Sequence, residues 1–163
     1  MSMQLKKWFL CFLTTLCTSS LFAQHTPKIK VTDIESLIAR SNKPLVINFW
    51  ATYCLPCIAE MPYFEKAAAK YKAQGLEVLF VSLDMEDAYP ARVDSFVAKR
   101  NLQSRVLWLD ETNADYFCPR IDPKWSGAIP ATLFVNKAKG IRRFLEQELT
   151  EDQLNKEIMA ILN

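Results

Sequence analysis

Asn48-Phe-Trp-Ala-Thr-Tyr-Cys-Leu-Pro-Cys57 is the stretch on which the reading of this chain turns. An apolar run, Leu45 to Trp50, leads into a C-x-x-C, and Ile58 to Ala73 follows with a helical pattern. Two cysteines therefore stand where a buried strand stops and a helix starts. A helix N-terminus carries unpaired N–H groups and a partial positive charge, which favour a thiolate. Cys54 is expected to have a lowered pKa. Cys57, one turn inside the helix, is expected to be less exposed and to keep a higher one. That division supplies an attacking thiolate and a resolving thiol. The competing readings are an inert structural disulfide and half a zinc site. Zinc needs four ligands, and beyond residue 23 the chain adds only Cys118 and His25, without zinc spacing.

Outward from this stretch, the N-terminus reads as an export leader. Lys6 and Lys7 precede an apolar run from Trp8 to Leu16, and Ser19-Ser-Leu-Phe-Ala23 ends on a small residue. The expected division is a leader at 1–23 and one domain at 24–163. An uncleaved membrane anchor is the alternative. Cys17 follows Leu16, not the small residue a lipidated cysteine usually follows. The whole chain has 20 Lys and Arg against 18 Asp and Glu. The leader holds two of the lysines and no acid, so the remainder is formally neutral. No basic patch argues for nucleic acid, and no charge block argues for a disordered tail. About 140 residues suffice for one hydrophobic core. Cys54, Cys57 and Cys118 are one close pair and one odd thiol, which is no disulfide scaffold.

In chain order, Gln24 to Lys30 reads as a loosely ordered polar entry. Thr32-Asp-Ile-Glu35 has the pattern of a capping box and predicts a helix to about Ser41. Leu45 to Trp50 is apolar on both sides, as in a sheet covered on both faces. The helix after Cys54 places Met61, Phe64, Ala68 and Tyr71 on one stripe, with Pro62 inside it as an expected kink. Leu76 to Leu83 predicts a strand, Asp84 to Tyr89 an acidic loop, and Pro90 the start of a helix to about Arg100. Val106 to Leu109 predicts a strand, and Asp110 to Ile129 reads as irregular. Ala131 to Val135 and Ile141 to Glu146 predict a hairpin. Thr150-Glu-Asp-Gln153 is a second capping-box pattern and opens a terminal helix. Strands alternating with helices imply an α/β layer fold with parallel crossovers.

These residues resemble the thioredoxin superfamily, and within it the exported TlpA-like group that includes ResA-like and DsbE/CcmG-like proteins. Phe49 to Cys57 resembles the active-site run. Pro62, five residues after the second cysteine, matches the family's helix proline. Gly127-Ala-Ile-Pro-Ala-Thr132 resembles the loop that holds a cis-proline opposite the cysteines. The resemblance implies a thioredoxin-like fold, a central mixed sheet flanked by helices, with a TlpA-type helical insertion at Asp84 to Asn101. It implies a cis Ile129–Pro130 bond and a redox disulfide between Cys54 and Cys57. It implies that the backbone at Ile129, beside Pro130, lies open next to the thiols and binds a partner's extended chain as a short added strand. Trp50, Tyr53 and Pro56 are candidate substrate-binding residues around it, Tyr53 as a shield for the disulfide and Trp50, with Phe49, as core and active-site wall.

The sequence departs from the family pattern at two places. Cytoplasmic thioredoxins carry a buried Asp where this chain has Asn48, and Asn holds no titratable proton. Glu60, one turn after Cys57, is the candidate base, since ResA-like proteins carry a glutamate at this spacing near the active site. Burial would raise its pKa and suit it to proton transfer. The bland alternative is a solvated helix-surface glutamate. Tyr53 stands where the family usually has Trp. Pro56 offers no N–H to a thiolate and Leu55 is apolar, so the helix end is the main stabiliser, favouring a reductant or isomerase over a strong oxidase. Cys118 reads as a buried spectator, with a third redox thiol as the sharper reading. Trp125 could line a partner groove or simply pack.

The expected function is an exported thiol–disulfide oxidoreductase, periplasmic or otherwise outside the cytoplasm, that reduces disulfides of partner proteins. Cys54 attacks, Cys57 resolves, Glu60 moves the proton, and Pro130 with Ile129 presents the partner backbone. No organic cofactor and no metal is called for. An upstream thiol reductant, membrane-borne, would recharge it. Cytochrome c maturation is one pathway implied by the resemblance. A peroxiredoxin-type peroxidase would need a threonine and an arginine around its cysteine. A copper carrier on this fold usually spaces its cysteines by three residues and adds a distal histidine.

Overall fold

In a computed structural model, residues 25–163 are described. The expected leader at 1–23 lies outside them. Six strands form one mixed sheet in the order β1-β4-β3-β2-β5-β6. They are β1 (Lys28–Ile29), β2 (Leu45–Trp50), β3 (Glu77–Ser82), β4 (Arg105–Leu109), β5 (Ala131–Asn136) and β6 (Ile141–Leu145). The helices are α1 (Val31–Arg40), α2 (Leu55–Tyr71), α3 (Ala91–Arg100), α4 (Ala114–Ile121) and α5 (Glu151–Leu162). β1, β4, β3 and β2 run parallel, and β5 and β6 close the sheet antiparallel.

Every residue of β2 and β5 is buried, as expected of strands covered on both faces. Side chains alternate along a strand, so the two faces receive different residues. Leu45, Ile47 and Phe49 of β2 pack with Val31 and Ile34 of α1 and Phe117 and Ile121 of α4. Val46 and Trp50 pack on the opposite face with Met61 and Phe64 of α2, Val93 and Val97 of α3, and Ile158 and Ile161 of α5. Asn48 has the parity of Val46 and Trp50 and so faces α2. That single consequence of the two-residue period positions the site.

The expected hairpin and terminal helix are present. Thr150 caps α5, its hydroxyl accepting from Gln153 N–H at 3.3 Å while Gln153 Oε1 accepts from Thr150 N–H at 2.9 Å. Three readings are corrected. The polar entry is not loose, because Lys28 and Ile29 pair in parallel with Trp108 and Leu109. The first capping box is shifted: α1 begins at Val31, and it is Lys30 N–H that donates to Asp33 Oδ2 at 2.8 Å, leaving Thr32 inside the first turn. The irregular stretch after Asp110 contains α4, despite Pro119 inside it. Burial of Phe117, Cys118 and Ile121 stabilises a helix that local propensity would not.

The crossover from β3 to β4 carries the expected helix as α3. Asp84, in the acidic loop that opens this crossover, is only 3% exposed. Its carboxylate accepts from Thr52 N–H at 3.0 Å and from the hydroxyls of Thr52 and Ser82. A buried carboxylate is tolerable only when satisfied in this way. The Tyr89–Pro90 bond is cis, which the sequence did not announce.

Candidate active site

β2 ends at Trp50, and two residues of turn bring the chain to Cys54 at the N-cap of α2. Cys54 N–H donates to Ala51 O at 3.0 Å, closing that turn. Cys54 Sγ accepts from Cys57 N–H at 3.3 Å, so the sulfur takes the place of a polar N-cap side chain. Cys54 and Cys57 are joined as a disulfide with Cα atoms 5.3 Å apart. Cys54 is 7% exposed and Cys57 fully buried. The two cysteines thus differ in their access to solvent. Pro56 lies in the first turn of α2, where its missing N–H costs nothing.

Glu60 is fully buried, which rules out the solvated-surface reading. Its two oxygens are held from different parts of the chain. Asn48 Nδ2 donates to Oε1 at 2.8 Å, and Leu149 N–H donates to Oε2 at 2.7 Å. Burial pushes the Glu60 carboxyl up to about 7, against the lowering pull of the Leu149 and Asn48 donors. Asn48 also donates to Thr132 Oγ1 at 3.1 Å, its register partner on β5 and two residues past Pro130. So Asn48 ties the buried acid to the strand that follows the proline loop. Asn48 Oδ1 is buried and has no partner among the described residues.

The Ile129–Pro130 bond is cis. Pro130 is buried, and Ile129 is half-buried against the cluster that contains both cysteines. The loop before it is pinned by Glu146, just past β6. The carboxylate accepts from the Ser126 and Ala128 N–H groups, the latter at 2.9 Å, and from the Ser126 hydroxyl. These donors, the Ser126 hydroxyl foremost, hold its carboxyl below the usual range. Sequence reasoning missed both Glu146 and Asp84. Glu146 reaches residues at least 18 positions away, and Asp84, beside its local bond to Ser82, engages Thr52 32 positions away, so spacing along the chain announces neither role.

The remaining expected site residues separate into two groups. Tyr53 is 61% exposed and Pro56 is exposed, so both are open to a partner. Trp50, a candidate substrate-binding residue read as core and active-site wall, is fully buried and packs on Phe96 with ring centroids 4.9 Å apart. It backs the site without reaching solvent. Trp125 packs in the core against Phe49, with its indole N–H donating to Ala128 O at 2.9 Å. Cys118 is the free cysteine among the described residues and is buried. Burial, with Glu146 and Asp115 nearby, pushes its thiol up to about 11. Thr52, the threonine beside the pair, is engaged by Asp84. His25 contacts Asp94 and Tyr89 at the α3 side. Among the described residues, no helix is long and apolar enough to cross a membrane.

Comparison with known proteins agrees with this geometry. A family profile described as "AhpC/TSA family" matches residues 19–144. The thiol–disulfide oxidoreductase ResA of Oceanobacillus iheyensis is 32% identical over 126 residues, spanning 77% of this chain and 58% of that protein. ResA of Bacillus cereus strain ZK is 30% identical over 80% of this chain and 73% of its own length. A solved structure of a secreted Mycobacterium tuberculosis disulfide oxidoreductase, homologous to E. coli DsbE, superposes with a TM-score of 0.57. It is 25% identical, over 75% of this chain and 84% of its own. The fold is thioredoxin-like, and the chain belongs to the AhpC/TSA family, in the company of relatives named ResA.

Proposed function

We propose that this protein is an exported thiol–disulfide oxidoreductase that reduces disulfides of partner proteins. The observation that carries the reading is the Cys54–Cys57 pair at the start of α2 with Glu60 buried one turn behind it. In the reduced enzyme the Cys54 thiolate attacks one sulfur of the partner's disulfide. The S–S bond of the partner breaks, and its other sulfur leaves as a thiolate and takes up a proton. Cys57 then loses its proton toward Glu60 and attacks Cys54 Sγ. The mixed disulfide breaks, the second partner thiol is released, and two electrons have moved from enzyme to partner. The enzyme is left as the disulfide seen here, and an upstream thiol reductant, membrane-borne, restores it.

Ile129 supplies the strand edge, with Pro130, Tyr53 and Pro56 around the sulfurs. The N-terminal pattern at 1–23 supports export to the periplasm or another compartment outside the cytoplasm, with the mature domain at 24–163. Retention of that segment as an anchor is the alternative. Cytochrome c maturation is the candidate pathway by resemblance. The test is insulin-disulfide reduction by the mature domain. Cys54→Ser should abolish turnover, and Cys57→Ser should trap a mixed disulfide on Cys54. Turnover at the wild-type rate in Cys54→Ser would sink the reading.

A further inference from the structure

The crossover between β3 and β4 contributes nothing to the sulfur chemistry, yet its α3 borders Tyr53 on one side, and its entry, Leu83 to Glu86, together with the stretch after β4, borders Tyr53 on the other. On one side lies a cavity of about 260 Å³ lined by Leu83, Trp108, Phe117 and Ile129. Asp84, Glu86, Asp110, Glu111 and the exposed Met85 also line it. Asp84 is committed to Thr52 and Ser82, and Asp110 is paired with Lys28 and Lys30. Glu111 accepts a neutral backbone N–H from Val31, and Glu86 makes no ion pair among the described residues. Four carboxylates against two lysines leave this cavity anionic.

On the other side of Tyr53 lies a shallower groove of about 240 Å³ lined by Thr52, Ser95, Phe96, Arg92 and Lys99. No carboxylate lines it. Arg92 and Lys99 are exposed and, among the described residues, make no ion pair. Asp94, the acid of the same helix, is occupied by His25 and Thr26. Tyr53, adjacent to Cys54, lines both grooves. Opposite charges left unpaired on the two flanks of a reactive sulfur are an arrangement that orients an incoming chain.

We propose that the β3–β4 crossover, together with Glu111 just past β4, selects partner segments by charge, taking a cationic residue with an apolar neighbour on the Glu86 and Glu111 side of Tyr53 and an anionic residue on the Arg92 and Lys99 side. This rests on the oxidoreductase reading and names its substrate class: a cysteine flanked by residues of opposite sign. A partner with the reverse charge order meets like charge on both flanks.

The test uses two peptides of identical composition, one Lys-x-Cys-x-Glu in order and the other Glu-x-Cys-x-Lys. Each cysteine is held in a disulfide with 2-mercaptoethanol. Hydroxyethyl disulfide serves as the uncharged reference. The reduced mature protein should consume one peptide at least about fivefold faster than the other at low ionic strength. That ratio should fall toward one at high salt. Glu86→Lys combined with Arg92→Glu and Lys99→Glu should invert the preference. Because the ratio is taken within each protein, partial unfolding of a variant does not alter it. Equal rates for the two peptides, with hydroxyethyl disulfide still reduced, would overturn the proposal and leave the oxidoreductase reading intact. Failure to reduce any of the three would remove that reading as well. A dimer in sedimentation that the charge-reversed variant dissolves would assign the grooves to a second copy and also overturn it.

Discussion

Asn48 Nδ2 sits 2.8 Å from Glu60 Oε1, joining the middle of β2 to the second turn of α2. The position at which thioredoxins hold an acid here holds a donor that grips one. The acid has moved to the helix, and the strand supplies the hydrogen bond. The carboxyl is thereby buried one turn of α2 past Cys57, the fully buried cysteine.

Glu60→Gln should separate the two chemical steps. Formation of the mixed disulfide at Cys54 should persist, while its release by Cys57 should slow by roughly a hundredfold or more, as expected on removing a general base. In the wild-type protein, the release rate should climb as pH rises through about 7, the value to which burial lifts Glu60. In Glu60→Gln that rise should vanish. Rapid-quench trapping of the mixed disulfide from pH 5 to 9 measures both. A variant with the wild-type profile would remove Glu60 from the proton path.

The same carboxyl should make stability fall with pH. Its folded pKa, about 7, exceeds the unfolded value of 4.5, so the folded state holds the proton more tightly. That contribution is complete below about pH 4.5 and is lost as pH climbs through about 7. The loss is on the order of 3 kcal/mol. Gln does not titrate, so the stability of Glu60→Gln relative to wild type should improve between pH 5 and pH 8. Urea unfolding of both proteins at the two pH values reads this directly, and parallel stability curves would contradict it.

Glu146 should govern the order of the loop before Pro130. Replacing it with Ala strips the acceptor from the N–H groups of Ser126 and Ala128. Amide exchange at these two positions should accelerate at least tenfold while exchange in β2 stays unchanged. Reduction of peptide disulfides should weaken through KM, since the displaced loop carries the Ile129 edge. Unaltered exchange at Ser126 and Ala128 would show that the loop is held by other contacts.

Cys118 should be chemically silent in the folded protein. With its thiol pushed up to about 11, the thiolate is roughly a thousandth of the population at pH 8. Burial blocks access as well. Iodoacetamide at pH 8 should leave Cys118 unmodified in the native protein and label it in urea, read by peptide mass mapping. Rapid native labelling would reopen a redox role for it.

What could be read directly from the residues is what local rules encode. The apolar run from Leu45 to Trp50, the C-x-x-C opening a helix, and the Thr150 cap each depend on neighbours within a turn or a strand. They identified the sheet centre, the sulfur pair and the terminal helix. Resemblance implied the cis Ile129–Pro130 bond, which the structure has. The two-residue β1 has no room for a periodic signal, and α4 carries a proline that reads as a break. Both exist because the sheet edge and the apolar face of β2 offer them partners.

The sequence by itself determined that two sulfurs lie at a strand-to-helix junction, because a period of two and a period of 3.6 meet there. Only the tertiary structure decided what surrounds them. Glu60 is a buried acid and not a surface one because the parity of β2 aims Asn48 at α2, and because Leu149, 89 residues away, closes over its other oxygen. Desolvation depends on what the folded chain brings within reach, and no spacing along the sequence specifies that.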